Sequence, residues 1–141
     1  MNKLTLNSLW GQRGNFLDVP TDCPQRDERA GWTGDAQVFM KTACLNQDAA
    51  AFYTKWLRDL CADSQRADGG FGDVAPHLNV VGFGNTGWTD AGPICAWRMF
   101  EMYGDTRVLA EHYPALVRHM EYLTKTSKDF VRGTGDFGDW L

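Results

Sequence analysis

The sequence predicts an all-α protein made of helical hairpins with long functional loops between them. Apolar residues recur at steps of three and four along most of the chain, which is the spacing of one helix face. Three stretches interrupt this spacing and are rich in Gly, Asp, Asn and Trp: residues 18–35, 68–90 and 132–140. Loops of this composition on a helical scaffold are where function usually lies. No strict sequence period is present, so a classical repeat solenoid is not favoured.

Two helices are predicted in the first half of the chain. Asp35 precedes the first helix and Asp48 precedes the second, and each is expected to cap the helix that follows it. The apolar stripes of these helices are Val38, Phe39, Thr42 and Ala43 in the first, and Phe52, Tyr53, Trp56, Leu57 and Leu60 in the second.

The second half predicts further helices. One begins after Asp90 and ends at Gly104, and another region opens at Asp105. Pro114 is expected to divide this last region into two helices, the first ending near residue 112. The apolar stripes are Ile94, Trp97, Met99, Phe100 and Tyr103 in the first helix, and Leu116, Val117, Met120 and Leu123 after Pro114. Trp97, like Trp56, is therefore predicted to lie in the core.

Composition limits the partners and the location. The 141 residues include 14 Lys and Arg and 18 Asp and Glu, a formal charge of -4. A clustered basic excess is absent, so we expect no nucleic-acid partner. No run approaches the roughly 18 apolar residues of a membrane span. Residues 1–9 do not resemble a signal peptide, which favours a cytoplasmic location, although a parent protein could still be exported.

The four cysteines do not form a metal-binding pattern. Cys23, Cys44, Cys61 and Cys95 include no pair spaced as C-x-x-C, and the three histidines are distant from them in the sequence. A zinc site is therefore not expected. Free thiols in a reducing cell are the favoured interpretation. We expect neither a metal nor an organic cofactor.

The densest motif is D-C-P-Q-R-D-E-R-A-G-W-T-G-D, residues 22–35. Six of its fourteen residues are acids or arginines, held between Pro and Gly positions. Like charges close together raise at least one carboxyl pKa, and a raised carboxyl pKa is what a general acid needs. Trp32 offers a flat face for a sugar ring. The alternative is a salt-bridged surface loop with one structural tryptophan.

This motif resembles the signature of the α-L-rhamnosidases, the inverting glycoside hydrolases of family 78. Other segments agree with the family in order and approximate spacing, so the resemblance covers nearly the whole chain. These segments are K-W-L-R-D-L at residues 55–60, D-V-A-P at 73–76, G-W-T-D-A at 87–91 and G-D-W-L at 138–141.

The resemblance implies a catalytic domain of the (α/α)6 toroid or barrel type, with its site in the loops at one end. It implies that Glu28 is the general acid. It also implies that Asp22, Arg26 and Asp35 bind rhamnose hydroxyls. Trp32, Trp88 and Trp140 would line the pocket. The implied substrates are rhamnose-containing glycosides.

The resemblance further implies that residues 1–141 form only the N-terminal part of this (α/α)6 catalytic domain. The general base of the family is a glutamate far downstream, so the chain alone is expected to be inactive. Helical hairpins taken from an open toroid would expose apolar faces, and we expect self-association through them.

Three other interpretations of the whole chain stay open: a non-catalytic carbohydrate-binding or helical scaffold domain, a helical-barrel glycosidase for another sugar, and a pure interaction module. At single positions, Asp27 is expected to be structural, pairing with an arginine or capping. Asp90 is expected to act as a helix cap. The three histidines have no motif context.

Overall fold

The computed structural model describes residues 2–79, 81–133 and 137. Within this part the fold is helical, as predicted, with one short antiparallel pair of strands. The helices are α1 (Asn2–Asn15), α2 (Thr33–Asn46), α3 (Ala50–Ala62), α4 (Ala91–Tyr103) and α5 (Thr106–Thr126). The strands are β1 (Ser127–Lys128) and β2 (Val131–Arg132).

Helices α2 and α3 follow each other through a short connection, and α4 packs against both of them as well as against α5. Helices α4 and α5 form a hairpin that turns at Gly104, whose φ of 67° lies in the left-handed region that favours glycine. Asp105 then caps α5, because its carboxylate accepts hydrogen bonds from the N–H groups of Arg107 at 2.9 Å and Val108 at 3.4 Å.

The core is centred on the apolar stripe of α3. Tyr53, Trp56, Leu57 and Leu60 are fully buried. The indole N–H of Trp56 donates to the carbonyl of Ala75 at 3.0 Å, which joins the core to the loop after α3. The core prediction for Trp56 is therefore confirmed.

The core prediction for Trp97 is wrong, because 52% of this residue is exposed. Helix α4 turns a different, small-residue face inward. Its buried residues are Ala91, Gly92, Cys95, Ala96 and Met99. Close packing of α4 between its neighbours selects these small side chains, and the bulky Ile94 and Trp97 lie on the outer side.

The predicted break at Pro114 is also wrong, since α5 is one helix of 21 residues with Pro114 inside it. A proline inside a helix removes one backbone hydrogen bond and costs about 3 kcal/mol. Contacts on both sides of Pro114 offset this cost, because Val108, His112, Ala115 and His119 are buried along the same face.

The predicted caps of the first two helices differ in detail. Helix α2 begins at Thr33, so Asp35 lies in its first turn and does not cap it. An acidic residue there still interacts favourably with the helix dipole. Asp48 does bind a first-turn donor, because its carboxylate accepts from the N–H of Ala50 at 3.0 Å.

Helix α1 is not predicted from the sequence, since it has no apolar stripe. Its buried residue is Gln12, whose amide donates to the carbonyl of Ala43 at 3.2 Å and accepts from Asn46 at 2.9 Å. Side-chain hydrogen bonds therefore fasten α1 to α2. None of the helices in the described part of the chain is long and apolar enough to cross a membrane.

Candidate active site

The acidic motif folds as a closed loop between α1 and α2. Asp22 and Ala30 close it with two hydrogen bonds, since the N–H of Asp22 donates to the carbonyl of Ala30 and the N–H of Ala30 donates to the carboxylate of Asp22, both at 3.1 Å. The amide of Asn15 donates to the carbonyl of Asp22 at 3.1 Å. The end of α1 therefore anchors the loop at its first acidic residue.

Glu28 is held on both of its carboxylate oxygens. Arg26 donates from Nε to Oε2 at 2.9 Å, and its Nη2 lies 2.7 Å from the same oxygen. The indole N–H of Trp32 donates to Oε1 at 3.1 Å. With 32% of its side chain exposed, Glu28 is oriented by these partners but remains open to a ligand.

Asp22 and Glu28 lie close together. One carboxylate oxygen of each residue and the sulfur of Cys23 lie within 4.8 Å of one another. Asp35 is the third acid of the group, and its pKa is raised. Loss of hydration around the Asp35 carboxyl group is the main cause, and the negative charges of Asp22 and Glu28 add to it. The raised pKa falls on Asp35, which the family resemblance assigns to sugar binding and not to proton transfer.

An aromatic wall faces these acids. The ring of Phe137 lies 4.7 Å from the ring of Trp88 and 6.0 Å from that of Trp32, measured between centroids. Trp88 also lies against Gly34 in the first turn of α2, where a β-carbon would be 3.0 Å from the indole Cδ1 and Nε1 atoms. The amide of Gln37 donates to the carbonyl of Gly87, which fixes the loop just before Trp88.

The acids and the aromatic wall share one pocket of about 840 Å³. Six of the seven site residues predicted from the sequence line it. They are Asp22, Arg26, Glu28, Trp32, Asp35 and Trp88. The seventh, Trp140, lies outside the described residues. These six residues lie up to 66 positions apart in sequence.

Two acidic residues near the pocket have other partners. Asp27 is fully exposed and pairs with Arg29 at 3.2 Å, in agreement with its predicted structural role. Asp90 occupies the cap position of α4, but its carboxylate accepts from the N–H of Gly87 at 3.0 Å and caps no helix donor. Asp90 therefore supports the loop that carries Trp88, and the helix-cap prediction for it is wrong.

Three pocket residues have roles that sequence reasoning missed. Phe137 bridges the two tryptophans, Cys23 lies beside the acids, and Asn15 anchors Asp22. Cys23 belongs to the motif, so its position was a usable signal. Phe137 had no signal, since it acts through contacts between distant parts of the chain, and Asn15 lies outside the motif, seven residues before Asp22.

The geometry suits binding and protonation of a polyhydroxylated ligand. Carboxylates and a guanidinium group form directional hydrogen bonds with hydroxyls, and an indole face packs on the apolar side of a sugar ring. In inverting glycosidases the acid and base carboxyls stand about 6.5–9.5 Å apart. The pair formed by Asp22 and Glu28, within 4.8 Å, is closer than that range.

Comparisons with known proteins identify the family of the chain. The model of the bacterial alpha-L-rhamnosidase six-hairpin glycosidase domain matches residues 1–141. An alpha-L-rhamnosidase of Streptomyces avermitilis is 50% identical over the whole chain, which spans 14% of that protein. These matches place the chain among the six-hairpin glycosidase domains. Within that class, it belongs to the bacterial alpha-L-rhamnosidase family.

Solved structures show the same fold. The crystal structure of the Streptomyces avermitilis alpha-L-rhamnosidase complexed with L-rhamnose matches with a TM-score of 0.90 and 49% identity, over 97% of this chain and 14% of that one. The alpha-L-rhamnosidase from Dictyoglumus thermophilum matches with a TM-score of 0.93 and 41% identity, over 99% of this chain and 16% of that one. The chain therefore spans about a seventh of the length of these relatives.

Proposed function

We propose that this chain supplies the general acid and part of the sugar-binding wall of an inverting α-L-rhamnosidase that acts on terminal α-L-rhamnose in glycosides. One observation carries the proposal. Glu28, the acids Asp22 and Asp35, and the rings of Trp32 and Trp88 line a single pocket. Membership of the alpha-L-rhamnosidase family supports the choice of sugar.

Glu28 is proposed to protonate the oxygen that leaves with the aglycone. Such a proton transfer needs a carboxyl group in a fixed orientation within hydrogen-bond reach of that oxygen. The hydrogen bonds from Arg26 and Trp32 fix the orientation, and partial exposure leaves room for the glycosidic bond.

Asp22, Arg26 and Asp35 are proposed to bind sugar hydroxyls. Asp22 lies on a closed loop, and Asp35 lies on the first turn of a helix, so both backbones are rigid. Rigid positions lower the entropy cost of binding. Negative charge at these positions would also stabilise the positive charge that develops on the ring during cleavage. Trp88 would pack on the sugar ring. Trp140 is assigned to the pocket lining only by the family resemblance.

The general base is proposed to come from outside residues 1–141. The nearest carboxylate oxygens of Asp22 and Glu28 lie within 4.8 Å of each other, below the spacing of about 6.5–9.5 Å that is usual for an inverting acid and base. The family resemblance places the base downstream, and the relatives are several times longer than this chain. We therefore expect residues 1–141 alone to bind rhamnose weakly and to hydrolyse nothing.

Isothermal titration calorimetry with L-rhamnose tests the proposal, with D-glucose as the control sugar. The wild-type chain is expected to release or absorb heat on binding rhamnose but not glucose. Asp22→Asn should abolish this heat, because it replaces an acceptor of the sugar site. Asp27→Asn is the matched control, since it removes a charge from the same loop at a position that faces solvent. Equal responses to both sugars, or to both variants, would contradict a rhamnose site at Asp22.

A further inference from the structure

A short extended segment, residues 71–75, lies between the two loops that form the pocket wall. On one side it pairs with the end of the acidic loop. The N–H and the hydroxyl of Thr33 both donate to the carbonyl of Asp73 at 2.9 Å, and the N–H of Ala75 donates to the carbonyl of Gly31 at 2.9 Å. These bonds hold the backbone immediately before and after Trp32, which lines the pocket.

On its other side the same segment pairs with the loop that leads to Trp88. The N–H of Asp73 donates to the carbonyl of Gly82 at 3.1 Å, and the N–H of Gly84 donates to the carbonyl of Phe71 at 2.9 Å. The backbone of Asp73 is therefore bonded to both walls of the pocket.

The side chain of Asp73 adds a second connection to the Trp88 loop. It is fully buried, and its two oxygens accept from Asn85, Oδ1 from the backbone N–H at 3.3 Å and Oδ2 from the amide Nδ2 at 2.5 Å. The carbonyl of Asn85 in turn accepts from the N–H groups of Trp88 at 3.2 Å and Thr89 at 3.1 Å. The turn that carries Trp88 is thus fixed through Asn85.

Gly82 covers this pair of side chains. A β-carbon at Gly82 would lie 3.1 Å from Oδ2 of Asp73 and 3.3 Å from Nδ2 of Asn85. The contact between the two side chains is therefore enclosed, and Asn85 is only 6% exposed. A buried polar group that loses its partner is costly, because water cannot replace the lost bond.

We infer that Asp73 is a positioning residue that couples the acidic loop to Trp88 and so sets the spacing of the two pocket walls. This inference rests on the proposed function in one respect, that the walls hold a sugar. Asp73 itself lies outside the pocket lining formed by the described residues and acts through Thr33 and Asn85.

The chemistry of the pair provides a reciprocal test. Both oxygens of Asp73 accept hydrogen bonds from Asn85. In Asp73→Asn only one oxygen remains, and the new amide NH2 group faces a donor of Asn85. Asn85→Asp places two carboxyl groups together. The double exchange Asp73→Asn with Asn85→Asp restores the two hydrogen bonds between these residues, because the new amide accepts from the backbone N–H and donates to the new carboxylate.

Hydrogen–deuterium exchange of the chain, without sugar, measures the coupling. Each single variant is expected to speed amide exchange about 10- to 100-fold both in residues 82–90 and in residues 30–34. Exchange in α3 should stay unchanged, and the double exchange should return both loops to the wild-type rate. Asp63→Asn, at an exposed position, is the control. Should Asp73→Asn fail to fold, the Asn85→Asp variant and the double exchange carry the same test.

Two results would overturn the inference: faster exchange confined to residues 82–90, or no recovery in the double variant. A rhamnose titration of the same proteins separates this outcome from the proposed function. The single variants should lose affinity and the double variant should regain it. If the wild-type chain binds no rhamnose, the proposed function fails, while the exchange data still decide whether Asp73 couples the loops.

Discussion

Gly34 and Trp88, 54 positions apart in sequence, are in direct contact, and a side chain at position 34 would force the indole ring to move. A β-carbon there would lie 3.0–3.2 Å from three atoms of the indole ring. The first turn of α2 therefore lies directly against Trp88, and a glycine at this position allows the close approach of the ring.

Gly34→Ala is expected to push the ring of Trp88 outward by a few tenths of an ångström and to weaken rhamnose binding. A displaced aromatic contact is worth about 0.5–1.5 kcal/mol, which corresponds to a roughly three- to tenfold loss of affinity. Calorimetry measures this loss. Gly14→Ala is the matched control, since a β-carbon at this helical glycine meets no atom within 4 Å. Unchanged affinity in Gly34→Ala would show that Trp88 does not contact the sugar.

Glu28→Gln is expected to reduce kcat by about 10²- to 10⁴-fold in a longer protein that contains this chain and hydrolyses an aryl α-L-rhamnoside. The glutamine keeps the size of the side chain but has no acidic proton to donate. Asp27→Asn in the same protein is the control and should retain most of the activity, because Asp27 faces solvent. If the Glu28→Gln enzyme keeps a near wild-type kcat, Glu28 is not the general acid.

Asp35→Asn is expected to stabilise the chain at neutral pH. The raised pKa of Asp35 means that the folded state binds its proton more tightly than the unfolded state does. Below the ordinary aspartate pKa, the protonated Asp35 carboxyl group makes its full contribution to the free energy of unfolding. This contribution is lost as the pH rises through the raised pKa of the folded state. The uncharged asparagine avoids that loss, so the stability difference should vanish in acid.

Chemical denaturation at a series of pH values from about 3 to 7 measures this effect. Asp27→Asn controls for the removal of one negative charge from the same loop. A difference between Asp35→Asn and wild type that grows as the pH falls would have the wrong sign and would contradict the raised pKa of this carboxyl group.

The outer face of α5 is expected to mediate self-association. Tyr113, Val117 and Met120 are 65%, 37% and 52% exposed along one groove on this helix. Exposed apolar patches on a soluble domain favour contacts with other surfaces. In sedimentation velocity the average mass should rise with concentration, and Met120→Lys should lower it. Lys128→Glu, on an exposed strand residue, is the control. A single monomeric species at all concentrations would contradict the expectation.

Sequence patterns correctly predicted the parts of the fold that depend on residues close to one another in sequence. The stripe through Trp56 predicted α3 and its buried face, because a strongly amphipathic helix can bury only one side. Asp105 and Gly104 marked the turn between α4 and α5 for the same kind of reason, since a cap and a left-handed glycine act on their own neighbours.

Parts that depend on distant contacts were missed or misread. Helix α1 has no apolar stripe and is fastened through Gln12 to residues 31 and 34 positions away. Trp97 fits the apolar stripe of α4, but the buried face of this helix is the one whose small residues allow neighbouring helices to approach closely. Pro114 is tolerated because of burial along α5, which periodicity alone does not report.

The functional site likewise has features that depend on neighbouring residues and features that depend on distant contacts. The motif at residues 22–35 indicated most of the acids and Trp32, because they are adjacent in sequence and share one loop. The contributions of Phe137 and Asp73 come from segments that meet only in the folded chain, whereas Asn15 lies just before the motif. No spacing in the sequence indicates that Asp73 lies between the two pocket walls.

An NMR titration of the chain with L-rhamnose tests the central claim most directly, read through the indole N–H signals of Trp32 and Trp88 and the amide signals of residues 22–35. These signals are expected to shift with L-rhamnose and not with D-glucose, while the indole signal of the exposed Trp97 is expected to stay unchanged. Shifts that are absent at saturating rhamnose, or that appear equally with glucose, would contradict a preformed rhamnose site in this chain.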